Sequence, residues 1–344
     1  MTHGIKAESR NRKAEGQGGF RRFWAWPDEL RSSGILGIND RNVSYIVENN
    51  PRQLYPRVDD KLLTKQICHE RDIPVPETYG VLRVHSHLKQ FFETLSQLNE
   101  FVIKPANGAA GRGILVIAQR NGTSFFTAGG REITASDLRY HLSTILSGLY
   151  SLGGQEDSVI LERRIVSHPT IMNLAVEGTP DIRVILYRGV PAMAMIRLPT
   201  TQSSGRANLH QGAVAAAIDL STGHTFGGVC GNRAITHHPD TKQLIAGIEI
   251  PAWRDVLDAS MRLSDEIEMG YIGVDFVIDV KTGPVVLEAN ARPGLAIQLA
   301  HRQGIVPRLK FIDSLTPAQR TGDRRWELIP GLAGKPAAPI RILA

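Results

Sequence analysis

The segment 270–294, GYIGVDFVIDVKTGPVVLEANARPG, constrains the fold of this chain more than any other. Two apolar runs are separated by residues 281–284, KTGP, which are residue types that favour a turn. We therefore predict a β-hairpin. Folding the segment about that turn brings Asp275 roughly opposite Glu288, with Asn290 on the diagonal.

The polar side chains of this hairpin are unexpected in strands that are otherwise apolar. Because side chains alternate along a strand, Glu288, Asn290 and Val286 are expected on one face, and Leu287 and Ala289 on the other. Two carboxylates opposite each other repel and cost about 0.2–1 kcal/mol. A divalent cation between them would remove this cost, and two acids with an amide suit Mg²⁺. A hairpin with one solvated face, whose acids keep the edge soluble, explains the same residues without a metal.

The composition is that of an ordinary globular protein. The chain has 344 residues, enough for a large core in one domain or in two to three lobes. No apolar run approaches the roughly 20 residues that span a bilayer, and the first two dozen residues lack the apolar core of a signal peptide. Cys68 and Cys230 are far apart and indicate neither a disulfide framework nor a zinc site. We predict a cytoplasmic protein without a membrane span.

The net charge of +6 is concentrated at the N-terminus. Residues 1–22 contain six Lys or Arg and two Glu, a net charge of +4, so the rest of the chain carries only +2. A short basic segment of this kind is typical of a solvated, disordered tail. We expect at most weak binding of RNA, a membrane surface or an acidic partner there, and the charge pattern argues against nucleic-acid binding elsewhere.

The remaining sequence alternates short β-type runs with helical stretches. The runs FVIKPA, GILVIA, SVILERRI, DIRVILYRG and PAMAMIRL favour strands, whereas DKLLTKQICHER, SHLKQFFETLSQL and WRDVLDASMRLSDEIEM favour helices. This pattern predicts an α+β fold with much antiparallel sheet. The last thirty or so residues are rich in Pro, Gly and Arg, and we expect an irregular tail with Trp326 as its one aromatic anchor.

A glycine-rich segment, Gly108 to Gly113, lies between two apolar runs at residues 101–104 and 114–117. A Rossmann or Walker-type loop must open a helix, but here a strand-like run follows. We therefore predict a flexible hairpin tip whose backbone N–H groups can approach a polyphosphate, with Lys104 as an added cation. A plain hairpin turn beside a surface lysine also fits.

Further charged residues follow at strand ends. Glu162 ends an apolar run, and the segment that follows it could meet an adenine edge, although strand ends of this kind are common. Arginine pairs bidentately with carboxylates and phosphates, so several arginines together would suit an anionic intermediate, whereas each one singly is compatible with a solvated surface. The downstream polar residues are Asp181, Arg183, Arg197, Arg206, Asn208 and His210.

Taken in order, these motifs resemble the ATP-grasp superfamily, and within it the RimK-type α-L-glutamate ligases and their "ligase-like" group. The resemblance runs from about Gly37 through Leu309 and rests on DKLLTK, VIKP with its glycine loop, ILERRI, PDIR, RANLHQGA and GVDFVID…VVLEANARPGL. Each motif alone is common, but the ordered set is specific. The resemblance implies an α+β ATP-grasp fold, in which two α/β lobes with antiparallel sheets clasp ATP.

The resemblance also implies roles for individual residues. Lys61 and Lys104 would contact the ATP phosphates, and the glycine segment would close over them as a lid. The segment from Glu162 to Ile165 would frame adenine, and Asp181 would lie near the ribose or the phosphates. In chain order, these residues are Lys61, Lys104, Gly108, Gly111, Arg112, Gly113, Glu162, Arg163, Arg164, Ile165 and Asp181.

The same resemblance implies metal and catalytic residues. Two Mg²⁺ ions, or Mn²⁺ in their place, would be bound by Asp275, Glu288 and Asn290. The γ-phosphate and the acyl phosphate formed from it would be held by Arg183, Arg197, Arg206 and Asn208.

The domain boundaries that we expect follow from these motifs. They are a disordered basic tail at 1–22, a truncated region before the ATP-grasp lobes at 23–75, a small lobe with the glycine loop at 76–165, a large lobe with the metal site at 166–312, and an irregular tail at 313–344. Two features depart from the family pattern. Only about 60 residues precede Lys61, where members have a full α/β domain that often helps to bind substrate, so we expect a shortened N-terminal domain. The connection from Ile165 to Asp181 is longer than usual and could shape the acceptor pocket.

The implied reaction is the ATP-dependent joining of a carboxylate to an amine through an acyl phosphate, with glutamate or a related amino acid as a substrate. The partners would be small-molecule or peptide carboxylates and amines, and a homo-oligomer is left open. Another ATP-grasp substrate class (a peptide, a polyamine or an envelope precursor) and a non-catalytic ATP-binding module are the alternatives. A protein kinase would also place a lysine on a strand beside a glycine lid, but neither H-R-D nor D-F-G occurs.

Overall fold

Helices and antiparallel sheets alternate along residues 27–108, 111–151 and 153–333, which the computed structural model describes. The α-helices of these residues are α1 (Pro27–Ser32), α2 (Ile38–Asp40), α3 (Val47–Asn49), α4 (Pro56–Asp59), α5 (Lys61–Glu70), α6 (Leu88–Leu95), α7 (Ala135–Leu146), α8 (Pro169–Met172), α9 (Trp253–Ile267), α10 (Ile297–His301), α11 (Val306–Asp313) and α12 (Arg324–Leu332). A π-helix at Arg41–Ile46 joins α2 to α3, and 3₁₀ turns lie at Arg52–Leu54, His85–His87, Leu209–Gln211 and Pro317–Arg320. The predictions for residues 1–22, 109–110 and 334–344 lie outside the described residues.

The strands of the described residues form three antiparallel sheets. In chain order they are β1 (Thr78–Leu82), β2 (Phe101–Pro105), β3 (Leu115–Ile117), β4 (Gln119–Asn121), β5 (Ser124–Phe126), β6 (Glu132–Ile133), β7 (Val159–Glu162), β8 (Asp181–Tyr187), β9 (Val190–Leu198), β10 (Val214–Ile218), β11 (Thr225–Cys230), β12 (Arg233–Ala234), β13 (Tyr271–Asp279) and β14 (Gly283–Asn290). The large sheet has the order β12-β11-β10-β9-β8-β13-β14, the small sheet β1-β7-β2-β3, and β4-β5-β6 form the third. The predicted α+β class is confirmed.

The large sheet contains the main hydrophobic core. Every residue of β13 and all but one of β9 are buried, because helices such as α9 and α10 pack against this sheet. A central strand that is buried along its whole length offers no solvent to a charged side chain. Any acid on β13 must therefore find a partner inside the protein.

The small sheet has its own core, in which α6 packs against β1 and α7 against β7. Helix α7 begins with a capping box, since the Thr134 side chain accepts from the N–H of Asp137 while the Asp137 side chain accepts from the N–H of Thr134. The two cores, one on each sheet, correspond to the two lobes expected from the sequence. The site described below lies where the two sheets meet.

Helix α5 is placed as predicted. The carboxylate of Asp60 accepts a hydrogen bond from the N–H of Leu62 (2.8 Å) and thereby caps the helix. The N–H of Lys61 donates to Ala106 O (3.1 Å), just after β2, and α5 also contacts α9 and β14. The helix thus reaches both sheets and carries its first lysine to the space between them.

The hairpin of β13 and β14 is confirmed, but its turn lies earlier than predicted. Asp279 pairs with Gly283, so residues 280–282 make the turn and Pro284 lies within the strand. The carboxylate of Asp279 tightens this turn by accepting from both N and Oγ1 of Thr282 (3.1 and 2.8 Å). Strand β14 is the edge of the sheet, where a proline removes no ladder hydrogen bond.

A register shift also interrupts the predicted alternation of side chains. Asp275 pairs with Glu288 and Phe276 with Val286, so Leu287 is an extra residue on β14. Strict alternation does not continue through such a bulge. The expectation that Val286 shares the face of Glu288 is therefore corrected.

The C-terminal segment is helical and not an irregular tail over its described part. Helix α12 packs Ile329 and Leu332 into the main core, and the Arg254 guanidinium lies 4.3 Å from the ring centroid of Trp326. Burial of this apolar face stabilises the helix despite Pro330 in its last turn. Among the described residues, no helix is long and apolar enough to cross a bilayer.

Candidate active site

The two predicted metal-binding acids face each other on neighbouring strands. Asp275 on β13 is the register partner of Glu288 on β14, and Asn290 lies opposite Gly273. The side-chain amide of Asn290 donates to Oε1 of Glu288 (3.3 Å). The sequence prediction that these three residues lie together is therefore confirmed, whereas their role as metal ligands stays a prediction.

Asp275 is paired with two arginines. Nε and Nη2 of Arg183 donate to its two oxygens (2.7 and 2.5 Å), and Nη2 of Arg197 donates to Oδ2 (2.9 Å). Arg183 is the register partner of Asp275 across β8, so the pairing follows from the sheet. Burial alone would raise the pKa of Asp275, but the two guanidinium groups outweigh burial and hold that pKa below its usual value. Asp275 is therefore charged while only 2% exposed.

Arg197 also pairs with Asp181, its register partner across β8 and β9. Burial and the neighbouring charge of Asp275 raise the pKa of Asp181, against the effect of Arg197. Burial opposes the charge of Arg197, but the two carboxylates outweigh it and raise the pKa of that guanidinium. Nη1 of Arg197 and Nη1 of Arg183 make no hydrogen bond to any described residue, so one nitrogen of each arginine remains available to an anion.

The donor set fits Mg²⁺. An ionised carboxylate offers about four lone-pair sites, and three hydrogen bonds reach Asp275, so about one site remains on it. Oε2 of Glu288 and Oδ1 of Asn290 accept no hydrogen bond within the described part of the chain. These are hard oxygen donors, and Mg²⁺ is usually bound by one or two protein carboxylates with water and phosphate completing its shell. No cluster of three or more His, Cys, Asp or Glu suited to a metal occurs in residues 27–108, 111–151 and 153–333. The predicted set has two acids and the amide of Asn290, and its role as a metal site stays a prediction.

Two buried lysines flank Glu162 at the end of β7. Lys104 lies 2.8 Å from its Oε1, and Lys65 lies 2.9 Å from its Oε2. Burial alone would raise the pKa of Glu162, but the two ammonium groups outweigh it and lower that pKa. The carboxylate of Glu162 therefore faces the lysines.

Lys61 connects the lysines to the predicted metal site. Its Nζ donates to Gly108 O (2.5 Å). Burial lowers the pKa of Lys61 most, the negative charge of Glu288 raises it, and the positive charge of Lys104 lowers it. Helix α5 also contacts β14, the strand that carries Glu288. Lys61 therefore lies between the start of the glycine loop and the strand of the predicted metal-binding acid.

The glycine loop between β2 and β3 is a hairpin connection, as predicted. Gly111 and Gly113 have φ of +70° and +76°, which L side chains rarely adopt. A Cβ on Gly113 would lie 2.6 Å from the Tyr150 ring, whereas one on Gly111 would meet nothing within 4 Å. Arg112 is exposed, and its side chain makes no hydrogen bond or ion pair with other described residues. The glycines therefore permit the loop's backbone shape.

The base of this loop is held by Asp157, which the sequence did not single out. Its carboxylate accepts from the backbone N–H (3.1 Å) and the side-chain amide (2.9 Å) of Asn107, and from Oγ of Ser151 (2.7 Å). Gly108 forms a β-bridge with Ser151. The loop thus starts from a fixed base, and the only sequence signal for Asp157 was an acid just before an apolar strand.

The segment predicted to frame adenine has its side chains engaged elsewhere. Nη2 of Arg163 donates to Asp279 (3.0 Å), and Nη1 of Arg164 donates to Glu100 (2.8 Å). Ile165 is partly buried. An adenine bound here would therefore meet backbone groups of this segment and not the guanidinium groups.

Arg206 and Asn208 lie in the loop between β9 and β10. Arg206 is exposed, and its side chain makes no hydrogen bond or ion pair with a described residue, whereas the side chain of Asn208 accepts from the N–H of His210 (3.0 Å). The long connection before β8 packs on this loop, because a Cβ on Gly178 would lie 1.9 Å from Gly205 O. The loop begins just after Arg197, but the structure shows no contact that joins Arg206 or Asn208 to the acids of β13 and β14.

Lys65 is the second residue that the sequence reasoning missed. It lies four residues after Lys61 on α5, within the same DKLLTK motif. Its Nζ reaches Pro76 O (2.5 Å) and Oγ1 of Thr78 (2.9 Å) as well as Glu162. The available signal was a second lysine on the buried side of the helix.

The chain is similar to a known protein family and to several solved structures. Residues 40–314 match the model of a family described as sugar-transfer associated ATP-grasp. No curated protein sequence matches the chain. Among solved structures, the chain is similar to the ATP-grasp ligase PsnB complexed with a minimal precursor (13% identity, covering 79% of this chain and 64% of that chain, TM-score 0.42). It is also similar to D-alanine–D-alanine ligase from Bacillus anthracis (16%, 79% and 71%, TM-score 0.43) and to biotin carboxylase from Campylobacter jejuni (13%, 84% and 52%, TM-score 0.48).

Proposed function

The chain belongs to the sugar-transfer associated ATP-grasp family, and from this premise we propose that it is an ATP-dependent ligase that joins a carboxylate to an amine. Membership establishes the ATP-grasp fold. The observation that supports the activity is the position of Lys61, which contacts Ala106, just after β2, and Gly108 O, while its helix contacts β14, the strand of Glu288. A phosphate-binding cation pair beside hard oxygen donors is the arrangement that phosphoryl transfer needs.

The lysines support binding of the ATP phosphates. Lys104 donates to Glu162 and Lys61 to Gly108 O, and neither ammonium group has another partner among the described residues. An ammonium group has three N–H donors, so each lysine keeps two for phosphate oxygens. The glycine loop starts at Gly108 and would close over the same phosphates, while the backbone after Glu162 would meet adenine.

Mg²⁺ would be held by Glu288, Asn290 and the remaining lone pair of Asp275. We propose two ions, as in the resembled ligases, with Mn²⁺ as a substitute. When bound, Mg²⁺ supplies positive charge to the oxygens of the transferring phosphoryl group. Arg183 and Arg197 hold Asp275 ionised and oriented for that purpose.

The proposed chemistry has two steps. A carboxylate oxygen of the first substrate attacks the γ-phosphorus of ATP, which forms an acyl phosphate and releases ADP. The amine nitrogen of the second substrate then attacks the acyl carbon, inorganic phosphate leaves, and the amine loses a proton. The free Nη1 groups of Arg183 and Arg197, with Arg206 and Asn208 from the neighbouring loop, would bind the charge on the transferred phosphoryl group.

The substrates form the finer part of the proposal. The resemblance to RimK-type ligases makes glutamate, or a related amino acid, the first amino acid to test. A peptide, polyamine or envelope precursor is the alternative acceptor, and we propose the cytoplasm as the compartment. The long connection 166–180 packs on the loop that carries Arg206, so this connection is where we expect the acceptor to bind.

The test is a screen for ADP production. Purified protein, ATP and Mg²⁺ are mixed with single amino acids, with glutamate first, and with pairs of an amino acid and an amine. Mass spectrometry of a positive mixture must show a product lighter by one water than the sum of its two substrates. ADP release without any condensed product, in every mixture, would contradict the ligase.

A further inference from the structure

Lys65 has no role among the residues assigned so far, yet it is only 6% exposed. Its Nζ lies 2.5 Å from Pro76 O, 2.9 Å from Oγ1 of Thr78 and 2.9 Å from Oε2 of Glu162. Pro76 O and Oγ1 of Thr78 accept hydrogen bonds from this Nζ, whereas Oε2 of Glu162 forms an ion pair with it. Protein oxygens therefore lie on three sides of the Lys65 ammonium group, and it differs in this from the lysine on the other side of Glu162.

That other lysine, Lys104, has Glu162 as its single partner among the described residues. Both oxygens of Glu162 are therefore divided between the two lysines, one oxygen to each. A carboxylate that is held from both sides is fixed in position and neutralised from both sides. If one lysine were absent, the other would have to balance the whole carboxylate charge.

We propose that Lys65 is a positioning residue for phosphate binding: it holds and neutralises Glu162, so that Lys104 keeps its orientation and its positive charge for the phosphates of a nucleotide. The inference rests on the proposed function, because it deepens the role of the same nucleotide site.

The local charge balance gives the reason. Lys61, Lys65 and Lys104 carry three positive charges against the single negative charge of Glu162, which leaves +2 near the phosphates. Without Lys65 the net charge falls to +1, and the carboxylate of Glu162 is then paired only with Lys104. Because these groups are buried, the loss acts over a few ångströms with little screening. The loss of affinity should be specific for ligands that carry phosphates, because the binding of an uncharged ligand does not depend on the net charge of these residues.

The test is calorimetric binding of ADP with Mg²⁺, and of adenosine, to the full chain. Lys65→Met should bind ADP about tenfold more weakly or worse, while its affinity for adenosine stays within about twofold of the wild type. Combining Lys65→Met with Glu162→Gln restores the balance to +2, so the double variant should regain most of the ADP affinity. Thr78→Val is the matched control, because it removes one hydrogen bond from Lys65 but no charge, and it should bind ADP as the wild type does.

Several outcomes would overturn the inference. The first is a double variant that binds ADP no better than Lys65→Met. The second is a Thr78→Val variant whose affinity for ADP is reduced as much as that of Lys65→Met. The third is a Lys65→Met variant that loses as much affinity for adenosine as for ADP. If Lys65→Met does not fold, the double variant and Thr78→Val still decide, since weak ADP binding by either one rejects the charge role. A wild-type protein that binds no ADP with Mg²⁺ would instead reject the nucleotide site of the proposed function.

Discussion

Asp279 shows how one buried side chain joins two parts of the molecule. Its carboxylate is 2% exposed and accepts from Nη2 of Arg163, from the N–H of Val166 and from both donors of Thr282. Burial alone would raise the pKa of Asp279, but these hydrogen bonds outweigh it and lower that pKa. Because the folded-state pKa is below that of the unfolded chain, the charged form stabilises the fold.

This pKa shift predicts a pH dependence. The stabilisation by Asp279 should be complete above the ordinary aspartate pKa, about 3.9, and should be lost as the pH falls through the lower folded-state pKa. Asp279→Ala should therefore lower the free energy of unfolding by about 3–5 kcal/mol at pH 7. The difference between variant and wild type should shrink in acid, as measured by denaturant unfolding between pH 7 and pH 2.5. Asp323→Ala, at an exposed aspartate, is the control, and a difference that stays constant with pH would contradict the assignment.

Glu288 tests the metal site at the same scale. It is partly exposed and forms no ion pair with a described residue, so Glu288→Gln should leave the unfolding free energy within about 1 kcal/mol of the wild type. Loss of a direct ligand should nevertheless lower Mg²⁺-dependent ADP release by about 100-fold or more. A coupled ADP assay measures the rate, with Glu132→Gln on an exposed strand as the matched control. Full activity of Glu288→Gln would remove this residue from the metal site.

At this scale the sequence predicted local relations and missed distant ones. Asp275 opposite Glu288 followed from strand periodicity and a nearby turn. The bond from Arg183 to Asp275 joins residues 92 positions apart, and the order of the sheet that creates it cannot be read from the sequence. Lys65 was missed for the same reason, since it lies on helix α5 and its partner Glu162 ends strand β7.

The hairpin of β2 and β3, which carries the glycine loop, offers a prediction at the scale of elements. Gly111→Ala and Gly113→Ala both place a side chain at positive φ, which costs about 1–2 kcal/mol in each. Only the second also places a Cβ against the Tyr150 ring, so Gly113→Ala should lose a further ~1–3 kcal/mol. Denaturant unfolding of the two variants measures the difference. Equal losses would show that Tyr150 moves aside freely.

Prediction of elements succeeded where the pattern was periodic. Helices α5, α6 and α9 and the β13–β14 hairpin occur where the sequence places them. Helix α12 was missed because its Pro, Gly and Arg content is typical of loops, while its stability comes from packing Ile329 and Leu332 on the main core. The bulge at Leu287 was missed because one extra residue leaves no compositional signal.

At the scale of the whole molecule, a nucleotide would lie between two sheets with separate cores. The small sheet carries Lys104 and the glycine loop, and the large sheet carries Asp275 and Glu288. Lys61 on α5 contacts Ala106, just after β2, and its helix contacts β14. Asp279 ties the segment after β7 to the turn of the β13–β14 hairpin. The order of the motifs predicted this arrangement, but the contacts that fix one sheet against the other could be seen only in the structure.

The measurement that tests this account most directly is anomalous diffraction from crystals of the full chain with Mn²⁺ and ADP. We expect an anomalous peak at coordination distance from the oxygens of Glu288 and Asn290, and the β-phosphate within hydrogen-bond distance of Lys61 and Lys104. Manganese bound elsewhere, or ADP bound away from both lysines, would contradict the account.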